Sequence, residues 1–96
     1  GTDTTVWAAT LGGIYRTENG SPPWTNITEE YMDARAQSMD WWGVVSDPID
    51  SEKVYCLGNY QANTAHWAIY IYVSLDNGEN WTGYKVNDWD GTSNVP

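Results

Sequence analysis

This sequence predicts an all-β, antiparallel fold, and three observations carry that prediction. Short runs rich in Val, Ile, Thr, Trp and Tyr alternate with clusters of Gly, Asn, Asp, Ser and Pro. One stretch, Ala68 to Val73 followed by Ser74-Leu75-Asp76-Asn77-Gly78-Glu79-Asn80-Trp81, reads strand, tight turn, strand. Part of that stretch also has a double, because Ile14-Tyr15-Arg16-Thr17 matches Ile71-Tyr72-Val73-Ser74 at an offset of 57 residues (71 minus 14).

Taken in order, Gly1 to Thr5 is polar and reads as a frayed or cut end. Val6 to Thr10 is a first strand, broken by Leu11-Gly12-Gly13. Ile14 to Thr17 alternates at period two and is a second strand. Glu18 to Pro23 is dense in turn residues, and Trp24 to Thr28 is a short third strand. Glu29 to Asp40 is a polar connection with room for a single helical turn near Glu30 to Arg35. Trp41 to Val45 is a strand, ended where Pro48 forces a turn in Ser46 to Ser51. Val54 to Gly58 is a strand and Asn59 to His66 a loop. Trp67 to Ser74 is the longest strand, Trp81 to Val86 its partner, and Asn87 to Pro96 a loop leading to a next unit or partner.

Composition narrows the function. The chain has 96 residues, enough for a single unit of modest core. Seven Trp and seven Tyr stand against no Phe, so core and surface are built from amphipathic aromatics. These suit both β-sheet packing and the stacking of sugar rings. Four basic residues against thirteen acidic ones leave a net charge of -9, which disfavours nucleic acid and anionic membranes. Cys56 is the only cysteine, so no internal disulfide is available and a buried free thiol is expected in Val54-Tyr55-Cys56-Leu57. No apolar run reaches 18 residues and no signal-peptide pattern occurs. Sequons stand at Asn19, Asn26 and Asn80, the first weakened by Pro22.

At offsets 0, 2, 4 and 7, Ser74, Asp76, Gly78 and Trp81 resemble the Asp-box, a hairpin turn of sialidases, sortilin-type receptors and polysaccharide-cleaving β-propellers. Its physics is plain: Asp accepts backbone N–H groups across its own turn, Gly supplies positive φ, and Trp packs beside it. The repeat makes Thr17 to Trp24 a degenerate second box, with Asn19 in the place of Asp76 and Trp24 in that of Trp81. The resemblance implies antiparallel four-stranded blades of a β-propeller, about two of them. A partial blade spans 6–28 and a complete one 41–86, with 87–96 as a connection. Two blades cannot close a ring, so further blades in the same chain or identical subunits are expected as partners.

A closer likeness follows the order of segments. Trp7-Ala8-Ala9-Thr10, Gly12-Gly13-Ile14-Tyr15-Arg16, Gly43-Val44-Val45, Asp47-Pro48, Lys53-Val54-Tyr55, Gly58-Asn59-Tyr60 and Asn94-Val95-Pro96 resemble the first blades of glycoside hydrolase family 74, the xyloglucan-cleaving endoglucanases and reducing-end cellobiohydrolases. That family carries one catalytic Asp in an Arg-Thr-Asp-x-Gly-Gly segment, where this chain has Ala9-Thr10-Leu11-Gly12-Gly13. The carboxylate is missing near Leu11, Asp3 lies on the wrong side of the strand, and glycoside hydrolysis needs two carboxyl groups. The resemblance thus implies an extracellular or cell-surface segment that recognises a polysaccharide or oligosaccharide and is not catalytic by itself.

No catalytic residue, cofactor or metal is expected. His66 is the sole histidine, Asp88 and Asp90 beside Asn87 lack the later Glu of a calcium loop, and no phosphate-binding loop occurs. Glu29, Glu30 and Asp33 read as a solvated acidic loop. The candidate sugar platforms are loop-side aromatics, Tyr60 first, then Trp41, Trp42, Trp67 and Trp89, while Trp24 and Trp81 pack against their turns. Two other readings stand beside this one. In one, a structural module self-assembles through blade edges into a ring or glycosylated filament. In the other, the chain is a sortilin-like receptor fragment.

Overall fold

The computed structural model describes residues 5–10, 12–63 and 66–89, with the backbone alone at 62–63, 66 and 87–89. It holds two antiparallel sheets, of three and four strands, with strands in chain order within each. The first comprises β1 (Val6–Thr10), β2 (Gly13–Thr17) and β3 (Thr25–Asn26). Two short helices follow, α1 (Ile27–Tyr31) and α2 (Ala34–Gln37). The second sheet comprises β4 (Asp40–Ser46), β5 (Val54–Asn63), β6 (His66–Ser74) and β7 (Thr82–Trp89).

Several boundaries differ from the expected ones, each for a local reason. The third strand is only two residues long, because Asn26 caps a helix: its Oδ1 accepts the Glu29 amide at 3.1 Å. Glu29 and Glu30 then occupy the first turn of α1, where helix-terminal N–H groups favour negative charge. Asp33 likewise caps α2, its Oδ1 accepting the Ala36 amide at 3.0 Å. The acidic stretch is therefore helix-capping, and the expected single turn is two. The segment from Asn59 is strand as far as Asn63, so β5 and β6 form one long hairpin in place of a long loop. Residues 87–89 continue β7, Trp89 pairing with Trp67, whereas 90–96 lie outside the described residues.

Period-two alternation sorts the second sheet into two faces. Trp41, Val44, Val54, Cys56, Tyr60, Ala68, Tyr70, Tyr72 and Ser74 share the inner face, kept in step by a bulge between Trp41 and Gly43. Tyr72 lies across Gly83, where a Cβ would meet its ring at 2.7 Å. The first sheet lays Trp7, Ala9 and Ile14 on this face, the helices add Ile27 and Ala36, and the turn between them adds Met32. Ile14, Ile27, Val54, Cys56 and Tyr72 are essentially sealed from solvent. Cys56 is a free, buried thiol, and burial pushes its pKa far up.

The turn between β6 and β7 forms its hydrogen bonds as its residue types demand. Ser74 Oγ donates to Asp76 Oδ1 at 2.8 Å and accepts the Gly78 amide at 2.8 Å. Asp76 Oδ1 accepts the amides of Glu79 and Asn80, and Asn80 Nδ2 donates to Asp76 Oδ2. These donors, the Asn80 side chain foremost, hold the Asp76 carboxyl below its ordinary pKa. Asn77 and Gly78 take φ of 63° and 93°, and Trp81 Nε1 donates to the Gly78 carbonyl at 2.8 Å. The Thr17–Trp24 turn keeps only a remnant of this. Thr17 Oγ1 donates to the Ser21 carbonyl, and Asn19 Oδ1 accepts the Ser21 amide. Trp24, unlike Trp81, is 37% exposed.

Candidate functional site

The richest side-chain cluster lies at the helix-covered end of the inner face. Strand β6 places Tyr70 and Tyr72 two residues apart and hence on one side, with Tyr60 of β5 opposite Ala68 and diagonal to Tyr70. Tyr60 stands edge-on to Tyr70 with ring centroids at 6.4 Å, and Trp41 stands edge-on to Tyr72 at 5.6 Å. Helix α2 then brings Arg35 over the Tyr70 ring, 4.4 Å from its centroid. Arg35 Nη1 donates to Tyr72 Oη at 3.1 Å, and Tyr72 Oη donates to Asp33 Oδ1 at 2.9 Å. Arg35 and Asp33 also pair at 3.9 Å, their side chains 38% and 53% exposed.

Burial is the main cause that raises the Tyr72 pKa to about 12, with its bond to Asp33 second. The Arg35 pKa is raised as well, chiefly through its bond to Tyr72. Tyr72 is thus a neutral hydroxyl at ordinary pH that fixes both charged groups at the rim. Such a cluster offers a half-buried aromatic wall (Tyr60, Tyr70) beside a planar five-donor cation and a carboxylate acceptor. That combination suits a neutral polyhydroxyl ligand, which needs an apolar face and donors and acceptors together.

The expected platform residues do not form one surface. Trp41 is 4% exposed and packs in the core, so it cannot stack a ligand. Its Nε1 is buried without a hydrogen-bond partner. Trp42 and Trp67 are 56% and 40% exposed but lie on the opposite, outer face. Trp41 meets the cluster only from within the core, through Tyr72, and Tyr60 is the partly exposed candidate that lines it, within β5 and not beside a loop. Of Trp89, Asp88 and His66 only the backbone is described, each within a strand, and Asp90 and Leu11 lie outside the described residues. The sequence marked none of Tyr70, Tyr72 and Arg35 as a site, and Asp33 read as part of a solvated acidic loop. The Tyr70-Ile71-Tyr72 alternation was their available signal.

A second feature is a small polar cleft of about 170 Å³ lined by Gly12, Asn26, Thr28, Glu29 and Gln37. Thr28 Oγ1 there accepts the Ile14 amide at 2.7 Å. Glu29 is the one carboxylate in this lining, and a glycosidase pair needs two. No group of three or more His, Cys, Asp or Glu converges on a possible metal position among the described residues. No helix among them is long and apolar enough to cross a membrane.

The sequons are tied into structure. Asn80 Nδ2, the atom a glycan would occupy, donates to Asp76 at 2.6 Å, and Asn26 Nδ2 donates to Tyr15 Oη at 3.2 Å. Asn19 is exposed and uses its Oδ1. Comparisons with family models, curated proteins and solved structures returned no match. The described residues form a two-sheet, antiparallel β protein with two short helices.

Proposed function

We propose that this chain is a carbohydrate-recognising segment of an extracellular β-propeller of the xyloglucanase type, non-catalytic on its own. The observation that carries the reading is the Tyr60–Tyr70–Arg35 cluster, an aromatic wall with a guanidinium stacked beside it. The three-strand and four-strand meanders support it as two successive blades, the first lacking one strand and held through Arg16 against the Asp-box-like turn at Ser74 to Trp81 of the second. The net charge of -9 suits a neutral ligand better than an anionic one. Titration calorimetry of the whole chain with xyloglucan oligosaccharides tests this. Binding heat is expected, with at least a tenfold loss of affinity in Tyr60→Ala. Absence of heat with any β-glucan, or binding unchanged in Tyr60→Ala, would discard the reading.

A second reading, a structural module that joins others of its kind, rests on a different observation. Among the described residues the outer face of the second sheet is apolar and open at Trp42, Val45 and Tyr84, each more than half exposed.

A further inference from the structure

We infer that the bare outer face of the second sheet docks the first sheet of another copy of this chain, head to tail and face to face. The occupant follows from the internal repeat combined with how the chain packs against itself. At the offset of 57 residues, Ile14 corresponds to Ile71 and Tyr15 to Tyr72. Within the chain, the Ile14 side of the first sheet covers the Tyr72 side of the second. Each sheet thus has an Ile side that covers and a Tyr side that is covered. Among the described residues the second sheet's Ile71 side has nothing to cover, and the first sheet's Tyr15 side has no sheet laid on it. One copy's Ile71 side on the next copy's Tyr15 side repeats the contact already made.

The details agree with that assignment. The Ile71 side carries a shallow apolar groove of about 310 Å³, lined chiefly by Gly43, Val45, Tyr55, Leu57 and Ile71. Gly43 leaves it open, since a Cβ there would meet nothing within 4 Å. Trp7 corresponds to Tyr55 at an offset of 48 (55 minus 7), and Trp7 seats on the turn at Gly78, whose φ is +93°. The equivalent turn of a next copy holds Gly20, with φ +78°, where among the described residues a Cβ would come within 4 Å only of the Val6 side chain. Tyr55 of one copy therefore meets the Gly20 turn of the next. Val6, Ala8 and Thr10 of β1, beside Tyr15, complete the receiving side.

Such a contact is heterologous, so it leaves a free face at each end and continues into a ring or an open chain. The order of strength follows from size. The covering face, four strands about 4.8 Å apart with roughly six residues of each in play, spans roughly 400 Å², and the three-stranded receiving sheet spans less, so the contact lies at the weak end of specific interfaces. Repulsion between copies of charge -9 weakens it further at low salt, so association strengthens as salt is added.

Sedimentation velocity from micromolar to millimolar protein, in 0.02 and 0.5 M NaCl, tests this with two exposed-site variants. Val45→Glu blocks the covering face and Thr10→Glu the receiving face, with circular dichroism confirming that each folds. Wild type is expected to show a series of oligomers growing with concentration and salt. Either variant alone should be monomeric over the range, and an equal mixture of the two should stop at dimers. Monomeric wild type at millimolar concentration and high salt overturns the inference. So does a dimer abolished by Val45→Glu but indifferent to Thr10→Glu, which marks a symmetric pairing. Loss of xyloglucan binding bears only on the Tyr60 cluster, on the other face, and leaves this result untouched.

Discussion

Replacing Ser74 by Ala is expected to destabilise the fold more than replacing Asp76, although Asp76 makes more hydrogen bonds. Ser74 is fully buried, and its Oγ accepts the amide of buried Gly78 at 2.8 Å. Alanine leaves that N–H without a partner and without water, a cost of about 1–3 kcal/mol. Loss of the bond donated to Asp76 adds about 1 kcal/mol. Asp76, by contrast, takes amides of exposed Glu79 and Asn80, which water can serve instead, and loses with them only the bond from Ser74, whose hydroxyl can turn to another acceptor, so Asp76→Ala is expected to cost about 1–2 kcal/mol. For a chain of this size, Ser74→Ala should lower Tm by about 10–25 °C, at roughly 4–8 °C per kcal/mol. Guanidinium unfolding followed by tryptophan fluorescence measures both variants, with an unchanged slope confirming that native stability is being compared. A Ser74→Ala cost within about 0.5 kcal/mol of wild type, or an Asp76→Ala cost above it, would refute the reasoning that burial outweighs bond count.

Three further outcomes are expected. Gly78→Ala should cost more than about 2 kcal/mol by calorimetry, because its Cβ would stand 2.6 Å from Trp7 Cη2 at a φ of +93°. Tyr72 binds its proton more tightly folded, with a pKa of about 12 against the ordinary 10.0, so its contribution is whole below pH 10 and fades between 10 and 12. The stability gap between wild type and Tyr72→Phe, from urea unfolding at stepped pH, should narrow across that window. Asp76 runs the other way: its lowered pKa gives stability present above the ordinary 3.8 and lost as pH falls below it. Acid titration of Asp76→Asn should therefore show a shallower loss below pH 3.8 than wild type.

Much of the fold was legible because strands and tight turns announce themselves locally. Seven strand positions, the Asp47-Pro48 turn and the Ser74 to Trp81 hairpin follow from alternation and turn chemistry over a few residues each. The two helices were less legible. Each is five residues or fewer, too short for an apolar period, and exists because Asn26 and Asp33 cap it and the core takes Ile27 and Ala36. The Asn59 to Asn63 stretch reads as loop by its polar residues, yet pairing with β6 holds it as strand, a long-range effect. The candidate cluster was hidden for the same reason. Arg35 meets Tyr70 and Tyr72 only because α2 folds back across the sheet, 37 residues from Tyr72 in sequence.

The turn at Ser74 to Trp81 does more than reverse the chain. Its Asn77 carbonyl accepts Arg16 Nη1 from the first sheet at 2.6 Å, and Arg16 is one of only four Lys or Arg residues in the chain. Its Trp81 stands edge-on to Trp7 with centroids at 6.2 Å, and Arg16 in turn lies 5.8 Å over the Trp7 ring. The turn's unusual backbone is therefore held from both sheets: Asn77 donates its own amide to the Glu52 carbonyl while its carbonyl anchors Arg16. A shape set by eight local residues thus fixes the relation between two sheets far apart in sequence. The Thr17–Trp24 turn has the reduced bonding of a copy with no such neighbour: an exposed Trp24, and no Arg or Trp of another sheet among its described contacts. In a head-to-tail assembly the Thr17–Trp24 turn gains from the next copy the seat that its twin already has.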